Sequence, residues 1–177
     1  MDKIARDAPA SAIPAFAGEV SGTLSEGGDA GEETHAPPRP RGDLIGRYVT
    51  LSVLGVGGMG VVYAAYDPEL DRKIALKLLR PSALSVEYAR LLREARTLAK
   101  MAHPNVVSVF DVGTVGNELF IAMEFVEGRT VSSWLRQRKR TTREVLDVFV
   151  AAARGLATAH KAGIIHRDFK PESGRAV

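Results

Sequence analysis

The sequence predicts an α+β fold in which a strand-rich part precedes the opening of a helical part. Three observations carry that prediction. The elements read in the order βββαββαα rather than in strict strand–helix alternation. The strand candidates are short runs of β-branched and aromatic residues separated by turn chemistry. The last two helical stretches come only after the fifth strand. A chain of 177 residues, 45% hydrophobic and 25% charged, has room for one soluble domain and a tail.

Residues 1–43 come first. They are rich in Ala, Gly, Pro and Ser and carry four Lys/Arg against eight Asp/Glu, a balance of −4. Such a segment buries too little apolar surface to offset its ordering entropy, so a disordered tail is expected, a plain linker rather than a docking segment. The remaining residues carry +7. That mild basicity fits a phosphate-bearing ligand and fits a solvated surface equally well. It forms no stripe of the kind that binds nucleic acid. No cysteine is present, which excludes disulfides and thiolate metal sites and is compatible with a reducing compartment. No run of about 18 apolar residues would span a membrane. The N-terminus, with Asp2, Asp7, Pro9 and Pro14, is a poor secretory signal. The expected location is cytoplasmic.

From Leu44 the texture changes. RYVTLSVLG (47–55), GVVYAAYD (60–67) and RKIALKLLR (72–80) read as three strands, with DPELD (67–71) as the turn between the last two. Tyr88, Leu91, Leu92, Ala95, Leu98 and Ala99 fall on one face of a helix that HPN (103–105) ends. VVSVFDVGT (106–114) and ELFIAMEFV (118–126) are two further strands joined by VGN (115–117). A short helix is expected near 130–139. A longer one runs to Lys161 from about Thr142, read as its N-cap, with Gly163 just past its end.

LGVGGMGVVY contains Gly55-x-Gly57-x-x-Gly60-x-Val62. Dinucleotide-binding folds use the same spacing, but between a strand and a helix. Here Val61, Val62, Tyr63, Ala64, Ala65 and Tyr66 continue as a strand, so the glycines sit in a hairpin. Its backbone can lie over a nucleotide's phosphates because no side chain holds it away. A glycine-rich turn without ligand has the same local sequence. Lys77 of IALK follows Gly55 by 22 residues, flanked by Leu76 and Leu78. A charge on a buried strand face needs a partner. Two carboxylates precede HPN, Glu87 and Glu94, and Glu94 neighbours the apolar stripe.

The most specific stretch is HRDFKPE (166–172). Together with the glycine loop, IALK, Glu94 and MEFVEG, in that order, it resembles the protein kinase superfamily, and most of all the eukaryotic-like serine/threonine kinases of bacteria. The resemblance runs from about Arg47 to Glu172, the first half of a kinase domain. It implies a kinase-like N-terminal lobe over 44–126, with a five-stranded antiparallel sheet, one helix and a hinge. The start of a C-terminal lobe follows over 127–177.

The resemblance also implies roles. The loop of Gly55, Val56, Gly57, Gly58, Met59 and Gly60 would cover the phosphates of ATP, and Leu54 would join the same ATP site. Lys77, oriented by Glu94, would contact the α and β phosphates. Val62 and Ala75 would roof the adenine, Met123 would be the gatekeeper, and the backbones of Glu124 and Val126 would bond the adenine edge. Asp168 would accept the substrate hydroxyl's proton and Lys170 would steady the transferring group. His166 and Arg167 would support the loop. ATP, Mg2+ and a protein substrate are the implied ligands.

The motif then departs from the family pattern. Ser173 stands where the family has an asparagine that ligates magnesium, and no DFG follows within the 177 residues. The expectation is a kinase sequence cut short by a shifted frame, an early stop or an incomplete gene, inactive alone. The alternative is a non-catalytic module that binds nucleotide or a partner kinase. A further expectation is an exposed apolar face on the long helix, at Val145, Leu146, Phe149, Val150, Ala153 and Leu156.

Overall fold

Eight strands and three helices succeed one another over the described residues. The structure, a computed structural model, describes residues 37–57, 60–79, 88–166 and 169–176. Residues 1–36, Gly58, Met59, Arg167 and Asp168 lie outside that set, and with them most of the expected tail, two loop positions and the expected proton acceptor. The described residues divide into a sheet unit, which holds those from 37 to 92 and Phe110–Phe125, and a helical unit, which holds Arg93–Val109 and those from Val126 onward.

The sheet has six strands: β1 (Leu44–Ile45), β2 (Tyr48–Gly57), β3 (Gly60–Asp67), β4 (Arg72–Leu79), β5 (Val109–Val115) and β6 (Glu118–Glu124). They lie in the order β1-β2-β3-β4-β6-β5. The five expected strands are all present, and the two-residue β1 adds an edge. β2 with β3, β3 with β4, and β4 with β6 pair antiparallel. β5 starts at Val109, not at Val106. Val106 and Val107 are buried but outside the ladder. β6 stops at Glu124, two residues short of its expected end.

β3 and β4 are buried along nearly their whole lengths, the mark of strands covered on both faces. One face carries Val61, Tyr63, Ala65, Ile74, Leu76, Leu78, Phe120 and Ala122, which with Ile45 and Tyr48 form a continuous core. Tyr48 meets Phe120 edge to face, centroids 5.6 Å apart, and its hydroxyl donates to Asp111 at 2.8 Å. That partner lets a tyrosine lie buried without an unmet donor.

Arg39, Pro40, Gly42 and Asp43 belong to the expected tail, yet they are tied to this sheet. The Arg39 backbone N–H donates to the Tyr63 hydroxyl at 2.9 Å, and its guanidinium reaches Glu118 at 2.6 Å. The Thr50 hydroxyl donates to the Pro40 carbonyl at 2.6 Å. Composition places these residues with the tail because Pro, Arg and Gly carry no strand signal. Their order comes from polar groups that the sheet supplies.

α1 (Tyr88–Leu98), whose residues from Arg93 belong to the helical unit, buries Ala95 and Leu98. Ala99 lies past its end and is exposed, contrary to the expected stripe. α2 (Val131–Gln137) is capped by Thr130, whose hydroxyl accepts from Ser133 N–H. The other free amides of its first turn are also met. Val131 N–H donates to the Gly174 carbonyl and Ser132 N–H to the Pro171 carbonyl. The same contact pairs β7 (Arg129–Thr130) with β8 (Arg175–Ala176).

α3 (Thr142–Lys161) is capped one residue earlier than expected, so Thr142 is its first residue and not its N-cap. The N-cap is Thr141, in a reciprocal capping box with Glu144. At the other end Gly163 takes φ 78°. Its N–H donates to the His160 carbonyl and Ile164 N–H donates to the Ala159 carbonyl, the two hydrogen bonds of a Schellman stop. Among the described residues no helix is long and apolar enough to cross a membrane.

Candidate nucleotide site

The site is built on the second face of the sheet. Cross-strand partners in an antiparallel pair point to one side, as do residues i and i+2. The register Gly55↔Val62, Val62↔Lys77 and Lys77↔Ile121 makes one row. Ala64↔Ala75 and Ala75↔Met123 make the next. Val62, Ala75, Lys77 and Met123, scattered over 62 residues of chain, therefore share one face, opposite the core.

Lys77 is 4% exposed there. A cation so placed requires compensation by a polar partner. Ala75 and Met123 are buried as well, and Val62 is half-buried.

Two bulges in β2 adjust this register, at Thr50/Ser52 and Val53/Gly55. Each inserts one unpaired residue, Leu51 and Leu54, and increases the local twist. Beyond the second bulge, Gly57 pairs with Gly60, which closes the glycine segment as strand–loop–strand. A helix after the glycines, the feature of a dinucleotide fold, is absent at 60–67, which form β3.

Leu54 and Val56 are exposed at 37% and 40% on this segment. Gly60 has a structural reason beyond any ligand. Its φ is 149°, and a Cβ there would stand 2.0 Å from the Leu78 carbonyl oxygen. The glycine is what lets β3 approach β4 beside Lys77.

Of the remaining expected residues Glu124 belongs to the sheet unit, and Glu94, Val126, His166, Lys170 and Ser173 belong to the helical unit. Glu94 is half-buried on α1. Glu124 ends β6, and Val126 follows as the first residue after the sheet unit. His166 is buried and meets Phe169 edge to face at 5.8 Å. Lys170 is half-buried, and its carbonyl accepts from Ser173 N–H at 2.8 Å. Ser173 is 2% exposed. A single buried, neutral hydroxyl is a poor magnesium ligand. Among the described residues no group of three His, Asp or Glu is gathered for a metal. The described residues therefore do not by themselves fit a magnesium ion.

Sequence reasoning missed two residues at the end of this face. Lys73 Nζ stands 3.8 Å from the centroid of the Phe125 ring. The only signal was a cation four residues before Lys77 and an aromatic two after Met123.

Residues 48–173 match the protein kinase domain. The chain belongs to the protein kinase domain family. It is 39% identical over 133 residues to the serine/threonine-protein kinase PrkC of Bacillus subtilis, an alignment covering 73% of this chain and 20% of PrkC. It is 40% identical over 132 residues to the serine/threonine-protein kinase PknJ of Mycobacterium tuberculosis, covering 73% of this chain and 22% of PknJ. Its fold is similar to the crystal structure of the Mycobacterium tuberculosis PknI kinase domain, with TM-score 0.67 and 31% identity, over 76% of this chain and 56% of that one. The chain thus spans about a fifth of the curated kinases it matches and somewhat over half of the solved kinase domain. Its curled antiparallel sheet with few helices is a kinase N-terminal lobe, followed by the first elements of the next lobe.

Proposed function

We propose that the chain is the nucleotide-binding portion of a serine/threonine protein kinase, and that the sheet face bearing Lys77 takes ATP. The observation that supports this most is the shared face itself. A buried ammonium stands one row from the small, apolar Ala75 and Met123. A triphosphate anion beside a flat apolar base needs that pairing of one concentrated positive charge with a smooth apolar surface.

In this reading Lys77 binds the α and β phosphates, and the family resemblance assigns Glu94 to orient it. Val62, Ala75 and Met123 bound the adenine, and the backbones of Glu124 and Val126 bond its edge. The Gly55–Gly60 hairpin covers the phosphates through its backbone. Asp168 takes the proton of the substrate hydroxyl as the γ-phosphoryl group moves to that oxygen, and Lys170 offsets the charge on the moving group. Protein kinases generally use Mg2+ with ATP. A polypeptide of these 177 residues alone is expected to bind nucleotide and not to turn it over, because they include no DFG aspartate.

The test is equilibrium binding of ATP to the 177-residue chain, with and without magnesium. Removing a charge-assisted contact costs about 1.5–3 kcal/mol, so Lys77→Ala should weaken binding roughly 10- to 100-fold. Equal affinity of the variant and the original chain would overturn the assignment of Lys77. A second reading, a non-catalytic module, is favoured by Ser173 at the position of the family's asparagine. It predicts ATP affinity that is indifferent to magnesium in any longer form of the chain.

A further inference from the structure

Lys73 and Phe125 close the Lys77 face of the sheet at the end opposite the glycine hairpin. Alternation along β4 puts Lys73 on the same side as Ala75 and Lys77. Phe125 lies one residue past the Ile74↔Glu124 pair, and the Lys73 ammonium sits over its ring at 3.8 Å. Phe125 is also the last residue of the sheet unit before the chain leaves it at Val126. The β4–β6 ladder ends at Ile74↔Glu124, so here a side-chain contact takes over from the backbone bonds.

We propose that Lys73 is a positioning residue for nucleotide selection: by its cation–π hold on Phe125 it fixes the backbone of residues 124–126 that would bond the adenine edge. The inference rests on the nucleotide reading above and adds a specificity element to it. The ring presents its negative face to the ammonium, and the attraction fixes the Phe125 rotamer and so the peptide groups on either side. Without the cation the connector samples more conformations, and binding a base must then order it. The loss falls on recognition of the base and leaves the phosphate contacts of Lys77 untouched.

The experiment compares ATP with inorganic tripolyphosphate as probes of the full 177-residue chain. Lys73→Met should weaken ATP about two- to five-fold and leave tripolyphosphate unchanged, whereas Lys73→Arg, which keeps the cation, should bind ATP as the original chain does. In a Phe125→Leu background, Lys73→Met should have no further effect. If Lys73→Met binds ATP unchanged, or weakens both probes equally, or acts additively with Phe125→Leu, the positioning role is wrong and the nucleotide site stands. If the original chain binds neither probe, the nucleotide reading fails and takes this inference with it.

Discussion

Asp67 ends β3 with its side chain 1% exposed, and a carboxylate there survives only because its lone pairs are used. Arg47 donates to it through Nε at 3.2 Å and Nη2 at 3.4 Å, and Glu69 N–H donates at 3.2 Å. Burial pushes its pKa up. The Arg47 bonds and the backbone amides of Glu69 and Leu70 together outweigh burial and hold it below the ordinary 3.8. A carboxyl with a depressed folded pKa adds stability that is present above its unfolded value and disappears as pH falls through the folded one. Asp67→Asn should therefore destabilise the fold at pH 7 by about 1–3 kcal/mol, the cost of breaking a charge-assisted pair. In thermal melts the gap between the two proteins should narrow below about pH 3.8, the ordinary carboxyl value. A gap that stays constant from pH 7 to pH 3 would show that the ion pair carries none of it. The sequence marks Asp67 as a turn residue. Its burial, and the pairing with Arg47 twenty positions away, depend on β2 and β3 being neighbours.

α3 shows what a local pattern can and cannot say about an element. The stop at Gly163 is legible in the sequence, but the sequence places the cap at Thr142, one residue away from Thr141-x-x-Glu144, because two adjacent threonines offer the same hydroxyl and only the helix start chooses between them. The Arg138 hydrogen bond, then the Thr141 amide, hold the Glu144 carboxyl down at about 2 from an ordinary 4.5. Thr141→Ala should cost about 0.5–2 kcal/mol and raise amide exchange in the first turn. Glu144 contributes above its unfolded value, so its share of the cap should be lost between about pH 4.5 and pH 2. A Thr141→Ala chain with unaltered melting and exchange would mean that the first turn is held from elsewhere. Gly155 was not legible. A Cβ there would stand 2.4 Å from the Asn105 carbonyl oxygen, on the stretch that follows α1. Only the packing of the helix on that backbone makes the glycine necessary.

At the scale of the whole chain, α3 is apolar on two opposed sides. Val148, Ala151, Gly155 and Ala159 are buried, while Leu146, Phe149 and Val150 stand 56%, 38% and 45% exposed. Val145 and Leu156, expected on the exposed side, are half-buried. A helix hydrophobic on most sides is a core helix, and its open side is an association hazard. Leu146→Lys with Val150→Lys should leave the melting temperature nearly unchanged and reduce concentration-dependent association of the 177-residue polypeptide in sedimentation velocity. Association unaffected by both charges would place the sticky surface elsewhere. The sequence by itself determined the order of the elements, the stop of the long helix at Gly163, the hairpin form of the glycine segment and membership of the kinase family. Each of these is written in contacts within a few residues or in a contiguous motif. Only the tertiary structure decided that Lys77, Ala75 and Met123 share a face, that Gly60 is required by the Leu78 carbonyl, that Arg39–Asp43 belong to the sheet and that Lys73 caps Phe125. The physical reason is register. Side-chain direction in a sheet follows from which strands pair and where bulges fall, and that is fixed by the sum of many distant contacts.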